Sequence, residues 1–130
     1  MAFRPAGSPR ATILVVEDED SVRSLTARML QSEGYEVLTA ADASEALMTL
    51  WGTPVHIDLV VSDVRMPGMD GETLARLIAA HEPNCKFVFI SGYPGSHTLP
   101  GPLLAKPFQV DDLLGVIRSV LDGSLLEPSG

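Results

Sequence analysis

The chain has 130 residues, enough for one domain with one core and too few for two comfortable ones. Its 45% hydrophobic and 20% charged residues are those of an ordinary globular protein, and no apolar run approaches the ~20 residues of a membrane span, so it is not a membrane protein. A formal charge of -8, with Lys86 and Lys106 as the only lysines, argues against direct nucleic-acid binding, which requires clustered Lys and Arg. Residues 1–11 begin MAFRPAGSPR, positively charged without an apolar segment, and read as a flexible arm rather than an export signal. The single cysteine, Cys85, forbids an intramolecular disulfide and fits a reducing compartment, with the cytoplasm as the expected location.

One domain is expected over residues 12–122. Residues 12–17 (TILVVE) form a first strand, and Val22, Leu25, Thr26, Met29 and Leu30 recur at helical spacing until Gly34 stops the helix. Tyr35 to Ala40 gives a second strand. Asp42 followed by Glu45 resembles a capping box, opening a helix with Ala46, Leu47 and Leu50 on one face. Ile57 to Ser62 is the continuous apolar run of a central parallel strand, stopping at Asp63. A loop, MPGMDG, leads to a third helix marked by Leu74, Leu77 and Ile78 and ending near Glu82-Pro83. Phe87 to Ile90 is a fourth strand and Leu103 to Ala105 a short fifth. Val110, Leu113, Leu114, Ile117, Val120 and Leu121 trace the stripe of a last helix, and 123–130 form a frayed tail.

Repeated strand–helix units predict an α/β fold, a doubly wound parallel sheet with right-handed crossovers. The 14 residues from 92 to 105 contain Pro94, Gly95, Pro100, Gly101 and Pro102, so the fourth crossover is expected to be a loop or a single turn. His56, His81 and His97 fall in loops or helix ends and read as surface residues.

In an open parallel sheet, ligands bind at the carboxyl ends of the strands, which is where Glu17, Asp18, Asp63, Ser91 and Lys106 fall. Taken singly, each has a plain reading as a turn, a cap or a surface charge. Together they supply carboxylates, a hydroxyl and an ammonium. Carboxylates converging from two strand ends repel each other and raise one another's pKa unless a hard, oxygen-seeking divalent ion lies between them, with Mg²⁺ the natural candidate.

The motifs VVEDE at 15–19, SDVRMPGMDG at 62–71, FISG at 89–92 and AKPF at 105–108 resemble those of the receiver domains of two-component response regulators. The resemblance covers residues 12 to about 122 and implies a five-stranded sheet in the order 2-1-3-4-5. It implies that Asp63 is the phosphoacceptor, taking a phosphoryl group from a histidine of a sensor histidine kinase or histidine phosphotransfer protein. Asp18, Asp63 and the backbone carbonyl of Arg65 would bind Mg²⁺ directly, and Glu17 through water. Lys106 and Ser91 would contact phosphoryl oxygens, with Gly92 leaving the approach open. Arg65 and Tyr93 would tune hydrolysis, and the Lys106-Pro107 bond would be cis. The protein would catalyse only its own phosphorylation and dephosphorylation, and would act on a downstream protein through a switched surface.

Two departures from the family are evident. Leu103 stands where receivers usually carry an aromatic residue three positions before the lysine, and the usual fourth helix is short or absent. Two other readings stay open. One is a Mg²⁺-dependent phosphatase of the haloacid-dehalogenase type, which places a second aspartate where this chain has Arg65. The other is a degenerate receiver serving as a constitutive interaction module. An FISGYP-type fourth strand is similar to receivers attached to hybrid histidine kinases, so the chain reads either as a stand-alone receiver or as a part of a longer protein.

Overall fold

The five apolar runs of the sequence each become a strand of one parallel sheet in the computed structural model, which describes residues 11–92 and 99–123. In chain order the elements are β1 (Thr12–Val16), α1 (Asp20–Ser32), β2 (Glu36–Ala40), α2 (Ala43–Gly52), β3 (Leu59–Asp63), α3 (Gly71–His81), β4 (Lys86–Ser91), β5 (Leu103–Ala105) and α4 (Val110–Asp122). The strand order is β2-β1-β3-β4-β5, as the resemblance implied. Most of the arm, the tail from residue 124, Tyr93 and His97 lie outside the described residues.

The alternation of side chains along each strand builds two cores. Leu14, Val16, Val60, Phe87 and Phe89 face α2 and α3, where they meet Ala46, Leu74 and Ile78. Ile13, Val15, Leu59, Val61 and Val88 face the other way, onto Leu30 of α1 and Leu113 and Ile117 of α4. Each fully buried Leu, Ile or Phe contributes about 1.5–3 kcal/mol, so covering both faces supplies most of what holds the sheet together.

β3 starts two residues later than the apolar run suggested. Asp58 is diverted to a tie between strands: its carboxylate accepts from the Thr12 amide at 2.8 Å, its own amide donates to the Thr12 carbonyl, and its carbonyl accepts from the Lys86 amide. The cap at Asp42 forms as expected, with its carboxylate accepting from the Glu45 amide at 2.8 Å, but Glu45 reaches back to the Ala41 amide instead of that of Asp42. Gly34, at φ 97°, follows α1 as the stop its sequence position indicated.

Three residues of the expected helical stripes face solvent: Leu25, Leu77 and Val110. Spacing alone marks them as apolar neighbours of the core residues. Thr26 and Leu30 in α1 and Leu74 and Ile78 in α3 are buried as expected, and the buried arc is completed by Ala27 and Ala75 rather than by Leu25 and Leu77.

Among the described residues the β4–β5 crossover contains no helix. Its last part lies flat on β4: the Phe89 amide donates to the Pro102 carbonyl at 2.8 Å, and a Cβ at Gly101 would collide with the Phe87 carbonyl oxygen. Gly101→Ala is therefore expected to lift this segment and loosen β5, lowering stability by about 1–3 kcal/mol in urea unfolding. An unchanged midpoint would mean the crossover moves aside freely.

Candidate functional site

Because all five strands are parallel, their carboxyl ends share one edge of the sheet, and the loops leaving that edge bring distant residues together. Glu17 and Asp18 follow β1, Asp63 ends β3, Ser91 ends β4 and Lys106 follows β5. Asp63, Glu17 and Ser91 are buried, whereas Asp18 is exposed at the rim. One oxygen from each of Glu17, Asp18 and Asp63 can be chosen so that all three lie within 4.8 Å of one another. The Lys106 ammonium donates to Asp63 Oδ2 at 3.2 Å and lies 3.8 Å from Glu17 Oε1. The Lys106-Pro107 bond is cis, and the Lys106 amide donates to the Ser91 carbonyl at 2.8 Å, joining the hydroxyl and ammonium positions through the β4–β5 pairing.

The loop beyond Asp63 folds back over the site. The Arg65 amide approaches Asp63 Oδ1 at 3.4 Å, and the Gly71 amide donates to the Val64 carbonyl at 2.8 Å. Asp70 caps α3 by accepting from the Thr73 amide at 2.9 Å, a bond that holds its carboxyl below the usual range. Between loop and helix start lies an open cleft of about 600 Å³, lined by Val64 to Gly68, Asp70 and Glu72.

Electrostatics favour a cation here. With all three carboxyls ionised, the cluster carries two excess negative charges against the one ammonium, which one divalent ion matches. Burial pushes the Glu17 carboxyl from 4.5 up to about 7; the Glu19 amide and Lys106 oppose the rise, and the Asp63 charge adds to it. The sequence had suggested repulsion between carboxylates as the cause, but desolvation is the larger one. For Lys106 desolvation works downward, yet the charges of Asp63, Glu17 and Glu19 overcome it and the ammonium is held above its usual range. An all-carboxylate donor set with one member strained by burial fits a hard cation such as Mg²⁺.

The sign of the pH dependence follows. A Glu17 carboxyl with a raised native pKa binds more protons in the folded state than in the unfolded one between 4.5 and about 7, so metal-free stability falls as pH rises through that window. Mg²⁺ competes with that proton and is expected to raise the melting temperature more at about pH 8 than at about pH 5. Equal Mg²⁺ shifts at both values would separate Glu17 from cation binding.

Of the remaining positions singled out in the sequence, Gly92 is exposed, and a Cβ there would meet no atom within 4 Å. Leu103 pairs opposite Phe89 and packs, partly buried, against the core beneath α2 and α3. Tyr93 lies outside the described residues. His56 and His81 are exposed, as expected. Two residues escaped the sequence reading. Arg23 of α1 reaches the turn that carries the acidic pair, and its spacing of three from Asp20 was the available signal. Gly71 packs its Cα against the end of β3, signalled by the Asp-Gly step before an apolar helix.

With this geometry in view, the family model of the response regulator receiver domain matches residues 13–99. The chain belongs to the response regulator receiver domain family. It is 43% identical over 122 residues to the sensor kinase CckA of Brucella abortus (strain 2308), a match spanning 88% of this chain and 13% of that kinase. The crystal structure of the receiver domain from the hybrid histidine kinase CckA superposes with a TM-score of 0.76 at 42% identity, covering 85% of this chain and 99% of that one. The response regulator TrrA from Thermotoga maritima, crystallised in complex with Mg(2+)-BeF, gives a TM-score of 0.76 at 31% identity over 85% of this chain and 98% of its own. The family match does not favour the phosphatase reading, and the clustering of Glu17, Asp18, Asp63 and Lys106 does not favour a degenerate receiver. No helix among the described residues is long and apolar enough to cross a membrane.

Proposed function

We propose that this chain is a Mg²⁺-dependent phosphoacceptor, in which Asp63 takes a phosphoryl group from a phosphohistidine of a sensor histidine kinase or histidine phosphotransfer protein. The observation that carries the reading is the placement of Asp63 at the end of β3, 3.2 Å from the Lys106 ammonium and within reach of the Glu17 and Asp18 carboxylates. One Asp63 carboxylate oxygen attacks phosphorus in line as the phosphorus–nitrogen bond to the imidazole breaks. The bonding pair leaves with the imidazole nitrogen, which takes up a proton. Such a transfer passes through a loose transition state, so positioning and neutralisation of the phosphoryl oxygens account for most of the acceleration. Lys106 supplies a compact point charge to one oxygen, and the Ser91 hydroxyl donates to another. Asp18, Asp63 and the Arg65 carbonyl would hold Mg²⁺, with Glu17 acting through water; when bound, the ion neutralises developing charge on the transferred group.

Residues 12–122 form the signalling unit in this reading. Its catalysis is confined to its own phosphorylation and dephosphorylation, with the cytoplasm as the setting and a protein as the downstream partner. Arg65, Gly92, Tyr93 and Leu103 would modulate the lifetime or readout of the phosphorylated state, and Pro107 would set the direction of Lys106. Incubation with acetyl phosphate and Mg²⁺, followed by intact mass, is expected to add one phosphoryl group, and chelation with EDTA to prevent it. Continuous turnover of a phosphate ester without accumulation of the adduct would instead favour a phosphatase.

A further inference from the structure

The acidic pair that faces Asp63 sits on the short turn between β1 and α1, and three hydrogen bonds hold that turn in place. The Glu17 amide donates to the Ala40 carbonyl at 3.1 Å, and Glu17 Oε2 accepts from the Glu19 amide at 3.1 Å. The third comes from Arg23, one turn into α1, whose Nη1 donates to the Glu17 carbonyl at 2.9 Å while Nη2 pairs with Asp20 Oδ1 at 2.5 Å. The Arg23 side chain is 19% exposed, whereas that of its partner Asp20 is 89% exposed. The guanidinium is thus tucked beneath the turn, with one arm on the backbone and the other on the first residue of the helix.

The bonded carbonyl belongs to the peptide that joins Glu17 to Asp18. Fixing that plane fixes the position of the Asp18 Cα and the direction of its N–Cα bond, leaving one backbone torsion, φ of Asp18, to aim the Cα–Cβ bond. Asp18 itself is exposed, so its orientation depends on the backbone beneath it. We infer that Arg23 is a positioning residue for the cation site: its bond to the Glu17 carbonyl, braced by Asp20, sets the Asp18 carboxylate within reach of Asp63. This rests on the Mg²⁺ reading above.

Two effects of Arg23 oppose each other, which makes the inference testable. As a nearby positive charge, it repels a cation, and its removal would tighten binding. As an orienting group, it preorganises a ligand, and loss of such outer contacts typically weakens metal affinity 10–100-fold. The geometry favours the second effect, because the guanidinium charge is already paired with Asp20 and its other arm is spent on a neutral carbonyl.

The test is Mg²⁺ titration of the phosphate-free protein, followed by NMR shifts of amides in the turn, alongside urea unfolding without metal. Arg23→Ala is expected to raise the Mg²⁺ Kd at least tenfold, and Arg23→Lys, which can reach the carbonyl with its single ammonium, to recover most of that loss. Asp20→Asn, which keeps the carbonyl bond but loosens its brace and leaves the guanidinium charge unpaired, is expected to raise Kd by less than Arg23→Ala does. With acetyl phosphate, Arg23→Ala should need more Mg²⁺ for half-maximal phosphorylation yet reach the wild-type limiting rate. Wild-type or tighter Mg²⁺ binding by Arg23→Ala would overturn the inference while leaving the acceptor reading intact. If Arg23→Ala does not fold, a lysine variant with wild-type fold and a Kd raised tenfold or more would overturn the carbonyl bond as the cause. A wild-type protein that binds no Mg²⁺ would overturn both readings.

Discussion

Asp63→Asn is expected to remove all Mg²⁺-dependent phosphoryl incorporation while leaving the domain folded. Asparagine fills the same volume at the end of β3 and can keep the contact with the Arg65 amide, so the two buried cores are undisturbed. What disappears is the anionic oxygen that attacks phosphorus, one of the three carboxylates of the cluster, and the charge that holds the Lys106 ammonium at 3.2 Å. The amide oxygen that remains is too weakly nucleophilic to form an adduct. Intact mass after exposure to acetyl phosphate and Mg²⁺ should show the unmodified protein, and circular dichroism should match the wild type. Persistence of a phosphoryl increment in this variant would place the acceptor elsewhere.

The second large effect is structural and concerns one substitution at two positions. At Gly71, the first residue of α3, an added Cβ would collide with the Asp63 carbonyl oxygen and come within 3.1 Å of Ser62 Oγ and Val64 Cα. Backbone atoms at the end of a central strand have nowhere to move. Gly71→Ala is thus expected to push the first turn of α3 off the sheet and to lower stability by about 1–3 kcal/mol or more. It should also slow phosphorylation, because the displaced carbonyl belongs to the acceptor itself. At Gly115, inside α4, the same Cβ would meet no atom within 4 Å. There Gly115→Ala is expected to stabilise by about 0.5–1 kcal/mol through reduced backbone freedom in the unfolded chain. Urea unfolding of both variants measures the pair, and equal midpoints would remove steric contact as the explanation.

How much of this was legible in the sequence depended on which physical signal was involved. Strand positions were, because a strand buried on both faces must be an uninterrupted apolar run, and LVVS before Asp63 or FVFI before Ser91 allows little else. The strand-end placement of Glu17, Asp18, Asp63, Ser91 and Lys106 followed from those runs. The strand order did not: it came from the motif resemblance, since several orders satisfy the same crossover rules. Helical stripes were legible only in part. Leu25, Leu77 and Val110 satisfy the i, i+3, i+4 spacing but sit at the edge of the buried arc, where rotation by one position decides exposure.

The site's finer features depend on contacts that spacing does not encode. Desolvation of Glu17 arises from the sheet closing around it, a tertiary effect that no local pattern carries. Arg23 carries only its spacing from Asp20 as a signal, because its other partner is a backbone carbonyl, and a carbonyl leaves no mark in a sequence. Gly71 was hidden among the glycines of the MPGMDG loop. Its distinguishing property is the close approach of β3, visible only once α3 and the strand are packed. The prolines and glycines of the fourth crossover, by contrast, announced themselves through their backbone chemistry, and the described part of that segment is without helix.

The central claim is that the phosphoryl group resides on Asp63 as an acyl phosphate. Borohydride reduces an aspartyl phosphate to homoserine, marking the residue that carried it. Peptide mapping of the phosphorylated, reduced protein is expected to find homoserine at position 63 alone, and only in samples that received both Mg²⁺ and the phosphodonor. Homoserine at another aspartate, or a stable phosphoryl group on a histidine or serine, would contradict it.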